Sequence, residues 1–303
     1  MSLTPVMAPI TNVDACHGLV IEKPQAEQLV TQFGSPLMVL DCDLIRTQYR
    51  ALQAALPNVD LHYALKPLPH PAVVTTLLAE GAYFDLATNG EVDLVQSVGV
   101  PSERTIQTHP IKRDIDISHA LAYGCNVFVV DNINEIDKFV KYKDQVELLV
   151  RVSFPNPEVL ADLSKKFGCL PEDAITLIQH AFDLGIRIKG LSFHVGSQTK
   201  SGVKYADAIT KCHHIMLAVI DAGLPALSTL DIGGGFPVKY TPEVPNIADF
   251  CAPIRDALAQ LPDTVRVIAE PGRFIVATAV TNIASVMGQA VRGGKIWYYL
   301  DDG

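Results

Sequence analysis

The 303-residue sequence contains no C-x-x-C pair, and its six cysteines (Cys16, Cys42, Cys125, Cys169, Cys212, Cys251) lie far apart. That spacing excludes a zinc ribbon or a dithiol redox centre and leaves reduced thiols, with no metal site expected. Basic charge is also scarce: 24 Lys+Arg stand against 33 Asp+Glu, a formal net charge of -9. Nucleic acid is thereby excluded as the main partner, because phosphate binding needs a basic face, whereas a cationic small molecule fits the sign. The N-terminus, MSLTPVMAPITNVDACHG, lacks the basic start and apolar run of a secretory signal. The longest uncharged stretch, Phe274 to Val291, is interrupted by Thr278, Thr281, Asn282, Ser285 and Gln289. It falls short of the about 20 apolar residues a membrane helix needs, and its β-branched content reads as strand. No membrane partner is expected, and the cytoplasm is the expected location. Finally, no G-x-G-x-x-G turn follows the first apolar run, which argues against an open dinucleotide-binding sheet.

What is present is apolar material for a core, 49% of residues against 19% charged. Eight short apolar runs end in polar or glycine residues: Leu61–Leu65, Tyr83–Leu86, Thr105–Thr108, Val127–Val130, Val146–Val152, Gly190–His194, Thr229–Ile232 and Arg266–Ala269. Amphipathic segments such as PAVVTTLLAEG and PEDAITLIQHAFDLG separate them, with Gly81, Gly99, Gly185 and Gly223 placed as helix terminators. Eight βα units predict a (β/α)8 TIM-like barrel of the α/β class over residues 61–273. Residues 1–60, with a strand at Leu37–Leu40 and a helix to about Leu56, form an N-terminal segment. Residues 274–303 turn β-rich around an Arg292-Gly293-Gly294-Lys295 hairpin and read as the opening of an incomplete second, β domain.

Barrel function collects at the C-terminal strand ends. Lys66 follows Tyr63-Ala64-Leu65, so an apolar strand delivers an amine to the mouth. Such an amine can form a Schiff base with an aldehyde, or simply pair with a carboxylate such as Asp85. His194 can stack on a flat cofactor or serve the core. Asp231-Ile232-Gly233-Gly234-Gly235 runs a strand into three glycines, either a tight turn or a backbone cradle for an anion. Glu270-Pro271-Gly272-Arg273 ends the eighth run with an acid and a base, either a rim ion pair or a ring-nitrogen partner and a phosphate ligand. His109, Asp131 and Cys169 read as structural. Taken together these groups suggest pyridoxal 5′-phosphate (PLP).

The segments YALKPLPHP, FDLATNGEVDLVQSVGVP, LSFHVGSQ, LDIGGGFP and AEPGRFIV resemble the fold-type III, PLP-dependent basic amino-acid decarboxylases, especially the bacterial lysine/ornithine enzymes, whose barrel is alanine racemase-like. The resemblance implies that Lys66 carries PLP as a Schiff base and that His194 stacks on the ring. It gives Ser197, Gly233, Gly234, Gly235 and Arg273 to the phosphate, Glu270 to the ring nitrogen, Gly272 to cofactor binding, and Asp85 and Arg151 to the surroundings of the cofactor. Lys66, His194 and Glu270 are the expected catalytic residues, and Lys166 matches a dimer-interface position. The implied reaction is decarboxylation of ornithine and/or lysine to a diamine, in polyamine biosynthesis, by a homodimer.

Two alternatives stand beside that reading. Gln198 after Ser197 is shared with diaminopimelate decarboxylases. Family members run longer, and the substrate-binding Asp, the intersubunit Cys and a Tyr that follow the DDG-like motif have no counterpart in these 303 residues. A C-terminally short chain with low turnover, or a silent PLP-binding or regulatory homologue, is the alternative expectation.

Overall fold

The computed structural model describes residues 13–14, 18–155, 163–240 and 243–302. Cys16 lies outside the described residues, and the other five cysteines are unbridged. The eight apolar runs form eight strands: β1 (Val59–Ala64), β2 (Tyr83–Leu86), β3 (Thr105–Gln107), β4 (Val127–Val130), β5 (Glu147–Val152), β6 (Arg187–Phe193), β7 (Thr229–Asp231) and β8 (Arg266–Ala269). All neighbours pair in parallel, and β8 closes on β1 through Val267 opposite Val59 and Ala269 opposite Leu61, giving a closed barrel. Helices between the strands cover the outside, and the interior side chains pack as one core.

Local chemistry sets the helix ends. In the helix Asn89–Val98, Thr88 and Glu91 cap each other reciprocally: Glu91 N–H donates to Thr88 Oγ1 at 3.3 Å and Thr88 N–H to Glu91 Oε2 at 3.1 Å. The four glycine terminators all have positive φ, as the C-terminal turn of a helix favours.

The N-terminal end of the barrel is closed by a polar stack. The rings of His62 and Tyr83 lie 4.8 Å apart, the Arg266 guanidinium sits 5.1 Å from the Tyr83 centroid, and Arg266 Nε donates to Asp60 Oδ2 at 2.6 Å. Burial pushes the His62 imidazole down from 6.5 to about 3, and Arg266 acts in the same direction. The folded chain thus keeps His62 neutral where the unfolded chain protonates it. Stability is therefore expected to fall as pH drops from 6.5 toward 3, by about 1.4 kcal/mol per pH unit from this group. A His62→Gln variant should show a flatter dependence of thermal unfolding on pH over that window; a slope matching the parent would contradict this assignment.

Outside the barrel the two ends of the chain meet. Strand Leu37–Leu40 pairs antiparallel with Val280–Ile283, and Leu19 N–H donates to Thr278 O at 2.8 Å. Ser35 Oγ donates to Asp301 Oδ2 at 2.5 Å, while Ser285 N–H donates to Oδ1 at 2.7 Å, so the carboxylate ties the two ends together. The expected hairpin joins Val286–Arg292 to Lys295–Leu300, with Arg292 opposite Lys295 and positive φ at Gly293 and Gly294.

One expectation is corrected. The segment from Phe274 reads as strand throughout, but Arg273–Val276 is a single helical turn, with Phe274, Ile275 and Val276 buried. Three β-forming side chains are held there by burial against the barrel mouth, which outweighs their propensity. Strand begins only at Val280.

Candidate active site

At the C-terminal end of the barrel lies a cavity of about 640 Å³ whose walls include Lys66, His194, Ser197, Gly234, Gly235, Glu270, Gly272 and Arg273. These residues come from four separate strand ends, those of β1, β6, β7 and β8. Lys66 stands just past β1, where Leu65 N–H donates to Asp85 O at 3.2 Å. Its side chain is exposed and makes no ion pair among the described residues, so the simple pairing with Asp85 does not occur. Arg273 is likewise exposed and without an ion pair among the described residues.

His194 Nδ1 accepts the Gly196 N–H at 2.9 Å, which places the ring proton of the neutral imidazole on Nε2. Burial pushes this imidazole down to about 3, reinforced by Arg151 and Lys66. The ring is neutral throughout the physiological range even though one part of it faces the cavity.

The glycine loop after β7 packs too closely for side chains. A Cβ on Gly235, whose φ is +109°, would stand 2.2 Å from Gly196 O, and one on Gly234 would stand 2.5 Å from Glu270 O. Thr199 N–H donates to Gly235 O at 3.0 Å and Tyr205 Oη donates to Gly234 O at 2.8 Å, which locks the loop from behind. Among the described residues the N–H groups of Gly234 and Gly235 meet no acceptor. Two adjacent free donors on a rigid loop form an anion cradle.

Behind the cavity wall three acids converge. Asp85 lies on β2, Asp231 on β7 and Glu270 just past β8. Thr108 Oγ1 donates to Asp85 Oδ1 at 2.5 Å and also reaches Glu270. Burial, then the charge of Glu270, pushes Asp85 and Asp231 well up; burial raises Glu270 as well, opposed by hydrogen bonds and by Arg151. Burial and mutual repulsion disfavour ionisation of all three together.

Residues 42–277 match the family model described as "Pyridoxal-dependent decarboxylase, pyridoxal binding domain". The chain belongs to the pyridoxal-dependent decarboxylases. Its cofactor is PLP and its reaction class is that of a carboxy-lyase. It is 33% identical to a lysine/ornithine decarboxylase of Selenomonas ruminantium over 93% of this chain and 72% of that protein. It is 30% identical to a chloroplastic ornithine decarboxylase of Nicotiana glauca over 96% of this chain and 65% of that one. Among solved structures, the Vibrio vulnificus lysine/ornithine decarboxylase complexed with putrescine is 65% identical with a TM-score of 0.88, covering 94% of this chain and 77% of that one.

Within this decarboxylase barrel, Asp85, Arg151 and Gly233 do not line the cavity. They stand one layer back, Gly233 as the donor to Asp231 Oδ1 at 2.9 Å and Arg151 with its guanidinium 5.4 Å from the Phe167 centroid. Lys166 Nζ lies 4.8 Å from the centroid of the same ring. Asp131 Oδ2 accepts Gly168 N–H at 2.8 Å and Cys169 pairs with the β5 backbone, both structural arrangements. His109 is edge-on to Phe167. The sequence reading assigned no role to Met38, Phe236 or Phe274, which wall the cavity, nor to Thr108 and Asp231 behind it. Asp231 was visible two positions before the first glycine, and only its burial reveals its part.

Proposed function

We propose that the protein carrying this chain decarboxylates ornithine and lysine to the corresponding diamines, working as a cytoplasmic homodimer. The observation that carries the reading is the convergence on one cavity of a lysine amine, a neutral imidazole, a cradle of N–H groups with an arginine, and a buried carboxyl, the amine, the N–H groups and the arginine having no partner among the described residues. This donor set fits PLP in kind. Lys66 would bond its aldehyde carbon and His194 would lie against its ring. Gly234, Gly235, Ser197 and Arg273 would hold its phosphate, and Glu270 would face its ring nitrogen, with Gly233 and Gly272 shaping the loops. Arg151 would stabilise the Glu270 carboxylate from behind, and Asp85 would shape the wall beside it.

PLP supplies an electron sink for the bonding pair released when CO2 departs. The chain's residues supply the setting. Anionic Glu270 would hold a proton on the ring nitrogen, neutral His194 would lie against the ring without adding charge, and apolar Phe236, Phe274 and Val276 on the cavity wall would limit access of water. The net charge of -9 favours approach of a cationic amino acid. The solved relatives hold putrescine or cadaverine, the diamines expected from ornithine and lysine, which supports those substrates over diaminopimelate.

The test is CO2 release by the complete protein from ornithine, lysine and meso-diaminopimelate. Turnover of the first two with little of the third is expected; a preference for the third, or no turnover by a PLP-loaded protein, overturns the proposal. Glu270→Gln should lower kcat by about 10²–10³-fold, the scale of losing one preorganised electrostatic partner.

A further inference from the structure

Asp231 is fully buried at the end of β7, and its two oxygens have different neighbours. Oδ1 accepts the Gly233 N–H at 2.9 Å. No N–H or hydroxyl of the described residues reaches Oδ2, and the group that does contact this carboxyl is the carboxyl of Glu270. Two carboxylates in contact repel, so the contact requires a proton between them.

The surroundings decide which acid owns that proton. Asp231 is faced by Glu270 and Asp85, both acids, and by a single backbone N–H. Glu270 is faced by the positive Arg151, and it opens onto the cavity. His194, which shares the cavity wall with Glu270, is neutral. The negative charge is better stabilised on Glu270, and the proton belongs to Asp231.

We propose that Asp231 is a positioning residue in its protonated form: it donates from Oδ2 to the Glu270 carboxylate while Oδ1 anchors Gly233. One buried carboxyl thereby links the glycine cradle to the ring-nitrogen acid, and Glu270 N–H, donating to Gly233 O at 2.9 Å, adds a backbone tie between the same two elements. The consequence is specific. With a donor behind it, Glu270 remains anionic and leaves the proton on the cofactor's ring nitrogen; without that donor, a buried Glu270 keeps the proton for itself. This inference rests on the proposed placement of Glu270 toward the ring.

The test uses the holoprotein loaded with PLP labelled with ¹⁵N in the ring, and reads the ¹⁵N chemical shift from pH 6 to 9. In Asp231→Asn the amide donates to Glu270 and its oxygen accepts from Gly233, so the protonated-ring shift of the parent should persist. In Asp231→Val it should move more than halfway toward the unprotonated value. An unchanged shift in a loaded Asp231→Val, or a shift in Asp231→Asn that departs from the parent, overturns the proposal. If Asp231→Val does not load, Asp231→Ala, which also lacks the donor, is read in its place with the same two outcomes. Glu270→Gln separates the two claims. A parent-like shift in that variant overturns the placement of Glu270 and this inference with it, whereas a changed shift with an unaffected Asp231→Val overturns only the role of Asp231.

Discussion

Lys66→Ala in the complete protein is expected to lower decarboxylation by roughly 10²–10⁴-fold or more, the contribution of a single positioned reacting group. Lys66 stands at the cavity wall with its amine unpaired among the described residues, so nothing in the fold consumes that side chain. The same exposure predicts that the variant folds normally, with stability within about 0.5 kcal/mol of the parent. Paired measurements of CO2 release and thermal unfolding check both halves. Full activity, or a loss of activity accompanied by unfolding, contradicts the role given to the amine.

The second large effect is structural in origin. Gly235→Ala places a Cβ 2.2 Å from the backbone oxygen of Gly196 at a φ of +109°. Neither backbone can yield freely, because Thr199 bonds both: its N–H donates to Gly235 O at 3.0 Å and its hydroxyl to Gly196 O at 2.8 Å. Clash and backbone strain together should cost about 3–5 kcal/mol and displace the N–H groups proposed to hold the phosphate. The expected result is a lowered unfolding temperature together with weakened retention of PLP on dialysis. Gly223→Ala is the control: φ is +77° there, but the Cβ would enter open space, so a cost of only about 1 kcal/mol is expected. Equal losses in the two variants would show that backbone conformation alone, and not the contact with Gly196, makes Gly235 necessary.

The barrel was legible because its strands are short, apolar and bounded by glycine and polar residues. Runs such as Tyr83–Leu86 and Val127–Val130 coincide with β2 and β4. Legibility failed where charge or burial overrode pattern. β6 begins at Arg187, earlier than the apolar run suggests, because Arg187 and Lys189 sit on the strand and reach Glu147 at 2.6 and 2.5 Å. The helical turn at Arg273–Val276 was hidden by its β-forming composition. The cavity residues predicted from strand ends needed only the barrel's geometry to be found. Met38 could not be found that way, since it arrives from a strand outside the barrel that pairs with Val280–Ile283 across the length of the chain. Asp231 was masked by the glycines after it: its importance comes from being buried against a second acid, which a single sequence does not display.

The central claim is that Lys66 is where PLP attaches. Incubating the protein with PLP, reducing with borohydride and mapping the peptides tests it directly. One dominant pyridoxyl adduct, on Lys66, is expected. A stoichiometric adduct on any other lysine, or none on Lys66 in a folded, PLP-treated protein, would contradict it.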